Sequence, residues 1–423
     1  MFGNTELSAV VLVPLVLVSI ALCQSASSDP ASAPASQPAQ LVLPPSAPMP
    51  LIAWGSPAWS DNVAARYQEF AEAGFTHGMV GFPDADKGKA LLHAAHAAGV
   101  KLMPMTWFSQ VSAQDIARTF KDHPALAGYY LMDEPGAEQF PELTRVAKEV
   151  LKIDPDPSKI IGINLLPNYA TNAQMGIKPW EPYYQYVHKF MSEVPVNVLS
   201  MDYYPIDRLS ISPNWYSNMQ VMLDAAKMCK MPWWAFVCAI GFNQTPDPSL
   251  GSMRIQYYTN LAYGATGVEH WYYWYYQGGR GQAIDAVGKP TATWEIDRQI
   301  NREVQAQASV FMGSDVRRVR WAGTTPPPPE VKPFEPRGGI LTLDAGNKGA
   351  IVSELWKGNY RFLVIVNQDY LETMPLSVTW KKSMQVGLVQ KDGSVTMQAQ
   401  PTLTMDVEPG DAAILMWVVT PRD

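Results

Sequence analysis

The sequence predicts an α/β fold, a (β/α)8 barrel, followed by a small C-terminal antiparallel β-sandwich. Short β-rich segments alternate with amphipathic helical patterns eight times between residues 51 and about 312, and parallel strands need such crossover helices. A Pro-rich segment follows at 323–339, and only strand patterns come after it. The alternative for the first part is an open doubly wound sheet. That fold is less well supported because no GxGxxG motif follows the first strand.

Eight segments rich in β-branched, aromatic and other apolar residues predict the barrel strands. They are Leu51–Ser56, His77–Phe82, Lys101–Trp107, Leu126–Asp133, Ile160–Leu165, Val196–Tyr203, Pro232–Ala239 and Gly267–Trp274. Pro83, Pro135, Pro167 and Pro205 each follow one of these segments. Because proline cannot extend a central ladder, these positions indicate strand ends.

Amphipathic patterns between the strands predict the helices that surround the barrel. They are Asn62–Ala73, Lys87–Ala98, Ala113–Lys121, Pro141–Lys152, Trp180–Met191, Asn214–Cys229, Ser252–Tyr263 and about Thr293–Met312.

Alternating patterns separated by turn residues predict the closing β-sandwich. Its strands are Ile340–Asp344, Ala350–Trp356, Tyr360–Asn367, Leu376–Trp380, Gln385–Gln390, Val395–Gln398, Leu403–Val407 and Ala412–Val418. We therefore place the barrel at 48–318, a Pro-rich linker at 319–339 and the sandwich at 340–423.

Residues 1–25 are predicted to be an export signal. Residues 9–22 are nearly all apolar, about the length of a signal-peptide core and short of the roughly 20 residues that span a bilayer. Cys23 supports a second interpretation, a lipoprotein signal whose lipid tethers the chain to a membrane. A retained membrane anchor is the third. Residues 26–47 are a Ser/Ala/Pro-rich linker. We expect a secreted, periplasmic or cell-surface protein.

Charge and residue counts exclude several kinds of partner. Because 32 basic residues face 39 acidic ones, the net charge is −7; nucleic acid needs a basic face, so we expect no such partner. The six histidines form no HExxH-like motif, and we expect neither a metal nor a cofactor. Cys229 and Cys238 are predicted to lie too far apart for a disulfide, as two buried free thiols.

The predicted fourth strand ends in two adjacent carboxylates, Asp133 and Glu134, within the segment GYYLMDEP at 128–135. Reacting groups in a (β/α)8 barrel lie at the carboxyl ends of the strands. Neighbouring aromatic walls raise the pKa of one carboxyl while another stays ionised, as general acid catalysis near neutral pH requires. The alternative is a pair of solvated loop acids or a helix N-cap.

The segment YYLMDEP resembles the fourth-strand signature of (β/α)8 glycoside hydrolases related to the β-galactosidase-like families, where Asn-Glu-Pro or Asp-Glu-Pro carries the acid/base. LSMDYYP, which ends at Pro205, and AYGATGVEHWYYW at 262–274 fit the same group. The resemblance covers about residues 50–312, and a sandwich such as that containing VEPGDAAIL at 407–415 is often appended to such enzymes. The resemblance to this family implies that Glu134 is the general acid/base.

The sequence departs from that family at the second carboxylate. Retaining members carry a glutamate at the end of the seventh strand, where this chain reads PWWAFVCAIGFNQ. Asp202, at the end of the sixth strand, is a candidate second carboxylate or sugar-hydroxyl ligand. Asp133 is a candidate for orienting a substrate acetamido group, whereas Glu269 is interpreted as a paired core carboxylate. The distance between the two catalytic carboxyls predicts the stereochemistry at the anomeric carbon: about 5–5.5 Å indicates retention of configuration, and about 6.5–9.5 Å indicates inversion.

Aromatic platforms and amides near strand ends are candidate sugar-binding groups, because sugar C–H faces stack on rings while hydroxyls take hydrogen bonds. Packing in the core is the alternative for each ring. The candidates are Trp54, Trp107, Tyr130, Asn164, Tyr204, Trp274 and Gln277.

These observations predict a secreted or surface glycoside hydrolase that cleaves an oligo- or polysaccharide by carboxylate acid/base catalysis. The missing seventh-strand glutamate supports the alternative of a catalytically inactive carbohydrate-binding barrel. A lyase or deacetylase is a third hypothesis, which would require a metal cluster or a basic Lys or Tyr at a strand end. The sugar, the linkage and the oligomeric state stay open, since a fold does not fix a substrate.

Overall fold

The computed structural model describes residues 41–208 and 210–419. The predicted export signal at 1–25, including Cys23, and residues 26–40 of the predicted linker lie outside these residues. No helix within the described ranges is long and apolar enough to cross a membrane.

Eight parallel strands form the first part of the chain, as predicted. They are β1 (Leu51–Trp54), β2 (His77–Val80), β3 (Lys101–Pro104), β4 (Gly128–Asp133), β5 (Ile160–Leu165), β6 (Leu199–Met201), β7 (Trp233–Cys238) and β8 (Val268–Trp271). Their order in the sheet is β3-β2-β1-β8-β7-β6-β5-β4. Parallel bridges between Leu102 and Leu126 and between Met105 and Tyr130 join the two outer strands. The sheet therefore closes into a (β/α)8 barrel.

Helices follow the strands and cover the outside of this barrel. They are α1 (Val63–Glu72), α2 (Ala85–Ala97), α3 (Ala113–Phe120), α4 (Phe140–Ile153), α5 (Tyr183–Glu193), α6 (Asn214–Cys229), α7 (Leu250–Ala262), α8 (Ala292–Ala306) and the single turn α9 (Ala308–Phe311). The last predicted helix, about Thr293–Met312, is therefore two helices that meet at Gln307, whose backbone is not helical.

The barrel interior is a separate apolar cluster, distinct from the core between strands and helices. Ile52, Met79, Met103 and Trp234 belong to it, one from each of four strands. Side chains at alternate strand positions point to opposite faces of a sheet. The interior is thus filled with side chains, and the polar groups described below lie above and between them.

The C-terminal part is a two-layer antiparallel β-sandwich, as predicted. Its nine strands are β9 (Asp315–Gly323), β10 (Ile340–Asp344), β11 (Gly349–Lys357), β12 (Tyr360–Asn367), β13 (Met374–Trp380), β14 (Gly387–Val389), β15 (Val395–Met397), β16 (Thr402–Val407) and β17 (Ala412–Val418). One sheet has the order β9-β11-β12-β17-β14-β15 and the other β10-β13-β16.

Strand β9 crosses the boundary that we placed at residue 318 and occupies part of the predicted linker 319–339. It pairs with β11 from Asp315 to Gly323, with a register shift between Val316 and Arg318. That shift interrupts the alternation of buried and exposed residues along the strand. Since alternation is the sequence signal for a half-buried strand, β9 was missed.

The six-stranded sheet lies between the barrel and the three-stranded sheet. Ile351 and Leu355 of β11 join the same apolar core as the barrel helices, whereas Ala350 and Val352 pack with the other sheet. Helix α7 is covered on all sides, and every residue from Ser252 to Ala262 is buried. The barrel and the sandwich therefore share one hydrophobic core.

Charged groups also join the two parts. The guanidinium of Arg254, on α7, donates to the Glu303 carboxylate of α8 at 2.6 and 3.2 Å. It also lies 3.4 Å from the Asp411 carboxylate of the sandwich. All three side chains are about nine-tenths buried.

The two cysteines in the described ranges are free thiols. Cys238 is buried in β7, as expected, but Cys229 is exposed, so the prediction of two buried thiols was wrong for Cys229. Cys229 is the last residue of α6, and Lys230 ends the helix in a left-handed conformation. Its side chain therefore lies on the solvent side of the helix end.

Candidate active site

A β-bulge in β4 determines which side chains of that strand enter the barrel. Tyr130 pairs with Gly162, whereas Met132 pairs with Ile163, so the register shifts at Leu131. Tyr130 belongs to the barrel interior, and Leu131 and Met132 pack toward the helices. Such an extra residue redirects the side chains that follow it. As a result, Asp133 turns inward although it lies three residues beyond Tyr130.

Glu134 follows the strand in a left-handed backbone conformation, with φ of 48°. This conformation is uncommon for a residue other than glycine and costs on the order of 1–3 kcal/mol. A backbone hydrogen bond from the Glu134 amide to the Asn164 carbonyl, at 2.9 Å, holds it there. The side chain is exposed at the carboxyl end of the barrel, where a bound substrate can reach it.

Asn164 of β5 connects two carboxyl groups at the barrel mouth. Its Nδ2 donates to Asp133 Oδ1 and to Asp202 Oδ1, at 3.1 Å each. Its Oδ1 lies 3.3 Å from the Ser200 hydroxyl. Asn164 is 2% exposed and Asp202 is 7% exposed. The buried amide therefore fixes the positions of both carboxyls and links them to β6.

Asp202 and Glu134 lie close enough for each carboxyl to shift the pKa of the other. Burial raises the pKa of Asp202 well above its usual range, and the charges of Glu134 and Asp133 raise it further. Partial burial of its carboxyl group and the charge of Asp133 also raise the pKa of Glu134, although its interaction with Asp202 opposes this shift. Two carboxyls that interact cannot both ionise easily, so the pair releases its last proton at a higher pH than two isolated carboxyls would.

Glu269 lies deeper in the barrel, on β8. Ser200 donates its hydroxyl to Glu269 Oε2 at 2.5 Å, and the side chain has no exposed surface. Burial raises the pKa of Glu269 to about 8, and the hydrogen bond from Ser200 only partly opposes this effect. Glu269 is therefore a neutral acid at pH 7. It lies in the core as the sequence suggested, but within the described residues its contact is Ser200 and not a cationic partner.

Aromatic rings surround the carboxyls on several strands. Trp107 lies against Tyr130 with ring centroids 5.0 Å apart, and Trp54 contacts Tyr272 at 5.2 Å. Tyr204, two residues after Asp202, stacks on Trp271 of β8 at 5.1 Å. Trp54, Trp107 and Tyr204 are half-buried, whereas Tyr130 is 1% exposed. These rings give the barrel mouth an apolar rim.

Two of the sequence candidates lie away from this cluster. The ring of Trp274 lies beside the Arg66 guanidinium at 5.7 Å and packs against the core between strands and helices. Gln277 is exposed in the loop after β8. Within the described ranges, no hydrogen bond or aromatic contact connects either residue to the carboxyls. The structure thus gathers Trp54, Trp107, Tyr130, Asn164 and Tyr204 but not these two.

Other residues of the site were not among the candidates. Ser200 and Trp271 lie on strands at alternate positions from Asp202 and Glu269, so strand periodicity could have identified them. Tyr169 lies in the loop after β5 and is 55% exposed; partial burial and the charges of Asp202 and Glu134 raise its pKa. No periodic pattern places a loop residue, and the sequence holds no signal for Tyr169.

The end of β7 carries no carboxylate, as the sequence indicated. The next acidic residue in the chain is Asp247, which is exposed and pairs with Arg280 at 3.0 Å. Across residues 41–208 and 210–419, no group of three or more His, Cys, Asp or Glu side chains has the arrangement of a metal site. The acid/base groups present at the mouth are thus Asp133, Glu134 and Asp202.

Comparison with known proteins identifies the fold. No protein-family model and no curated protein sequence matches this chain. An α-amylase from Anoxybacillus superposes with a TM-score of 0.50 and 9% sequence identity, over 89% of this chain and 99% of the amylase. At this identity the likeness shows the fold alone, and it confirms the barrel followed by a β-sandwich.

Two further solved structures are similar over nearly the whole chain. A β-L-arabinopyranosidase from Geobacillus stearothermophilus has a TM-score of 0.48 and 9% identity, over 88% of this chain and 98% of that protein. An α-galactosidase from Mortierella vinacea has a TM-score of 0.47 and 9% identity, over 87% and 96%. All three neighbours are (β/α)8-barrel glycoside hydrolases.

Proposed function

We propose that this protein is a glycoside hydrolase whose acid is the Glu134–Asp202 pair. The observation that carries the proposal is a pair of interacting carboxyls with raised pKa values at the ends of β4 and β6, inside an aromatic rim, and we propose that they share one proton. Burial of Asp202 retains that proton, and exposure of Glu134 makes it available. General acid catalysis needs a donor that stays protonated near neutral pH. The solved neighbours, which are glycoside hydrolases, also support the assignment.

In the proposed reaction, a sugar stacks against the rim formed by Trp54, Trp107 and Tyr204. Glu134 gives its proton to the glycosidic oxygen as the bond from that oxygen to the anomeric carbon breaks. The Asp133 carboxyl, held by the Asn164 amide, stabilises the positive charge that develops at the anomeric carbon. Water then adds to this carbon and returns a proton to Glu134, which restores the pair.

The geometry of the pair also bears on the stereochemistry. Inverting enzymes hold their two carboxyls about 6.5–9.5 Å apart, with a water between them. Glu134 and Asp202 interact directly enough to shift each other's pKa, which is an arrangement closer than that of an inverting pair. We therefore propose that Glu134 and Asp202 act together as one acid. Asp133 is then the separate carboxylate whose distance from this acid determines retention or inversion at the anomeric carbon.

The test is hydrolysis of chromogenic glycosides and of plant, algal and host polysaccharides by wild type and Glu134→Gln. Glutamine keeps the size of the side chain but cannot donate an acidic proton, so we expect a loss of about 10²–10⁴-fold in kcat/KM. Glu72→Gln, an exposed glutamate on α1, is the matched control and is expected to retain full activity. Equal hydrolysis by wild type and Glu134→Gln would remove Glu134 from this role.

The second candidate function is a carbohydrate-binding barrel without turnover, which the absence of a carboxylate at the end of β7 favours. This second function predicts that oligosaccharides bind at the barrel mouth without release of new reducing ends, and that Glu134→Gln does not change this result. Calorimetry measures the binding and a reducing-end assay measures the hydrolysis, so the two measurements on the same panel separate the two functions.

We further propose that the protein acts outside the cytoplasm, on the basis of the apolar segment at 9–22. Fractionation of cells that express the full chain tests this location. Finding the chain only in the cytoplasm would contradict it.

A further inference from the structure

A cleft lies at one end of the β-sandwich, where the six-stranded sheet extends beyond the three-stranded sheet. Its volume is about 640 Å³, within the roughly 300–1,000 Å³ of small-molecule sites. We call it the sandwich cleft. Its walls come from β9, β10, β11, β12 and β17, and the side chains used below are Arg317, Arg337, Glu354, Trp356, Arg361 and Trp417.

Strand register places three of these side chains in one row. Trp356 of β11 pairs with Arg361 of β12, which pairs with Trp417 of β17. Their neighbours Leu355 and Phe362 face the barrel core, so the row faces the opposite side, beyond the three-stranded sheet. Trp356 is 39% exposed. The sheet therefore presents an alternating Trp-Arg-Trp row to solvent.

The Trp356 ring holds two arginines in place. The guanidinium carbon of Arg361 lies 4.1 Å from the ring centroid, and that of Arg317 lies 4.4 Å from it. A guanidinium stacked on an aromatic ring keeps its N–H donors free in its own plane. The ring of Trp356, on the strand between β9 and β12, thus holds each guanidinium in place, and Arg361 is oriented to bind an anionic group.

Positive charge in the sandwich cleft exceeds its negative charge. Arg317 pairs with Asp315 at 2.7 Å, and Arg337 pairs with Glu354 at 3.0 Å. Arg361 instead donates to the backbone carbonyls of Gly358 and Tyr360. Burial and the charge of Arg317 lower the pKa of Arg361.

Among the described residues that line this cleft, three arginines (Arg317, Arg337 and Arg361) face one carboxylate, Glu354, which also binds Arg318. An anion would neutralise this excess, which stands out in a chain of net charge −7.

We infer that the sandwich cleft binds an anionic saccharide. The carboxylate or sulfate group of the sugar lies against Arg361, and its ring packs on the neighbouring Trp417, for which no stacked cation is found within the described ranges. The size of the cleft suits one or two sugar units. This inference is independent of catalysis, because the cleft belongs to the sandwich and shares no residue with the barrel mouth.

The experiment is calorimetric titration of the full chain carrying Glu134→Gln, so that hydrolysis cannot consume the ligand. Four probes are compared: oligogalacturonates, sulfated carrageenan oligosaccharides, neutral cello-oligosaccharides and inorganic sulfate. We expect at least one anionic saccharide to bind about tenfold or more tightly than the neutral one, and higher salt to weaken it. The two anionic probes distinguish a carboxylated sugar from a sulfated one.

Variants in the same background assign the binding to the cleft. We expect Arg361→Ala and Trp417→Ala each to weaken binding of the anionic saccharide about tenfold. Arg145→Ala, an exposed arginine on α4, removes the same charge elsewhere and is expected to bind normally. Arg361→Lys retains the charge but not the planar fork, and should bind at an intermediate level with an unchanged melting temperature.

Three outcomes would overturn the inference. Equal binding of neutral and anionic saccharides would exclude charge recognition. Binding of inorganic sulfate but of no saccharide would show an ion site only. Unchanged binding by both Arg361→Ala and Arg361→Lys would place the saccharide elsewhere.

Discussion

Glu269 is a fully buried carboxylic acid, and its pKa of about 8 has a consequence for stability. In the unfolded chain the same group ionises near pH 4.3. Between these two values the folded state binds more protons than the unfolded state, so the contribution of Glu269 to stability falls as pH rises. The slope approaches about 1.4 kcal/mol per pH unit.

Glu269→Gln should therefore reduce the pH dependence of stability. Glutamine resembles the protonated acid and can still accept the hydrogen bond from Ser200, so the variant and wild type should be similar near pH 5. At pH 8 the variant should be the more stable protein. Urea unfolding at pH 5, 6.5 and 8 measures the difference. Parallel pH profiles for the two proteins would contradict the raised pKa.

Asp202→Asn should shift the pH dependence of activity. In wild type the pair keeps its last proton up to the raised pKa of Asp202, and activity falls as pH rises above that value. With asparagine, the only acidic proton belongs to Glu134 and is lost at a lower pH. We expect the alkaline limb of kcat/KM to move down by about one pH unit or more. An unmoved alkaline limb would show that Asp202 does not share the proton.

The residue-level predictions from the sequence succeeded where strand ends determined the position. Glu134, Asp202 and Asn164 come together because the carboxyl ends of parallel strands meet at one end of a barrel. Trp274 was expected there too, yet its ring turns toward Arg66. The orientation of a residue beyond the last paired position depends on the loop, which strand periodicity does not describe.

At the scale of elements, the bulge in β4 is the feature that the sequence could not show. Strict alternation from Tyr130 would place Met132 and Glu134 inside the barrel and Asp133 outside it. Whether a strand bulges depends on its fit with neighbouring strands. All eight barrel strands, by contrast, were predictable, because each is a short apolar segment between helices and turns.

Gly162 of β5 is the place to test how the neighbouring strand supports this arrangement. A Cβ atom added there would lie 2.9 Å from Cδ2 of Tyr130, closer than van der Waals contact allows. Gly162→Ala should displace Tyr130, cost about 1–3 kcal/mol of stability and lower kcat/KM. Urea unfolding and steady-state kinetics measure both effects. A variant with unchanged stability and activity would show that Tyr130 moves without cost.

At the scale of the whole molecule, the barrel and the sandwich should unfold together. Ile351 and Leu355 share a core with the barrel, and α7 is buried from both sides. Burial on all sides also explains why the boundary near residue 318 was hard to place, since no exposed linker separates the two parts. Differential scanning calorimetry should give one transition. Two separate transitions would contradict a common core.

Arg254→Ala tests the charged contact between the two parts. It leaves the buried Glu303 and Asp411 carboxylates without this partner, and such losses cost about 3–5 kcal/mol. Arg298→Ala removes an exposed pair with Glu295 on α8 and should cost less than about 1 kcal/mol. Urea unfolding compares them. Similar losses for both variants would mean that the buried contact adds no stability.

The all-round burial of α7 affects how this protein can be recombined. If the sandwich were fused to another enzyme, its six-stranded sheet would lose the barrel surface against which it packs. If the barrel were produced without the sandwich, α7 would be exposed to water. A chimera must therefore exchange α7 and its contact strands as a unit. For protein engineers, the barrel and the whole six-stranded sheet therefore belong together, and the proline-rich segment is a poor cut point.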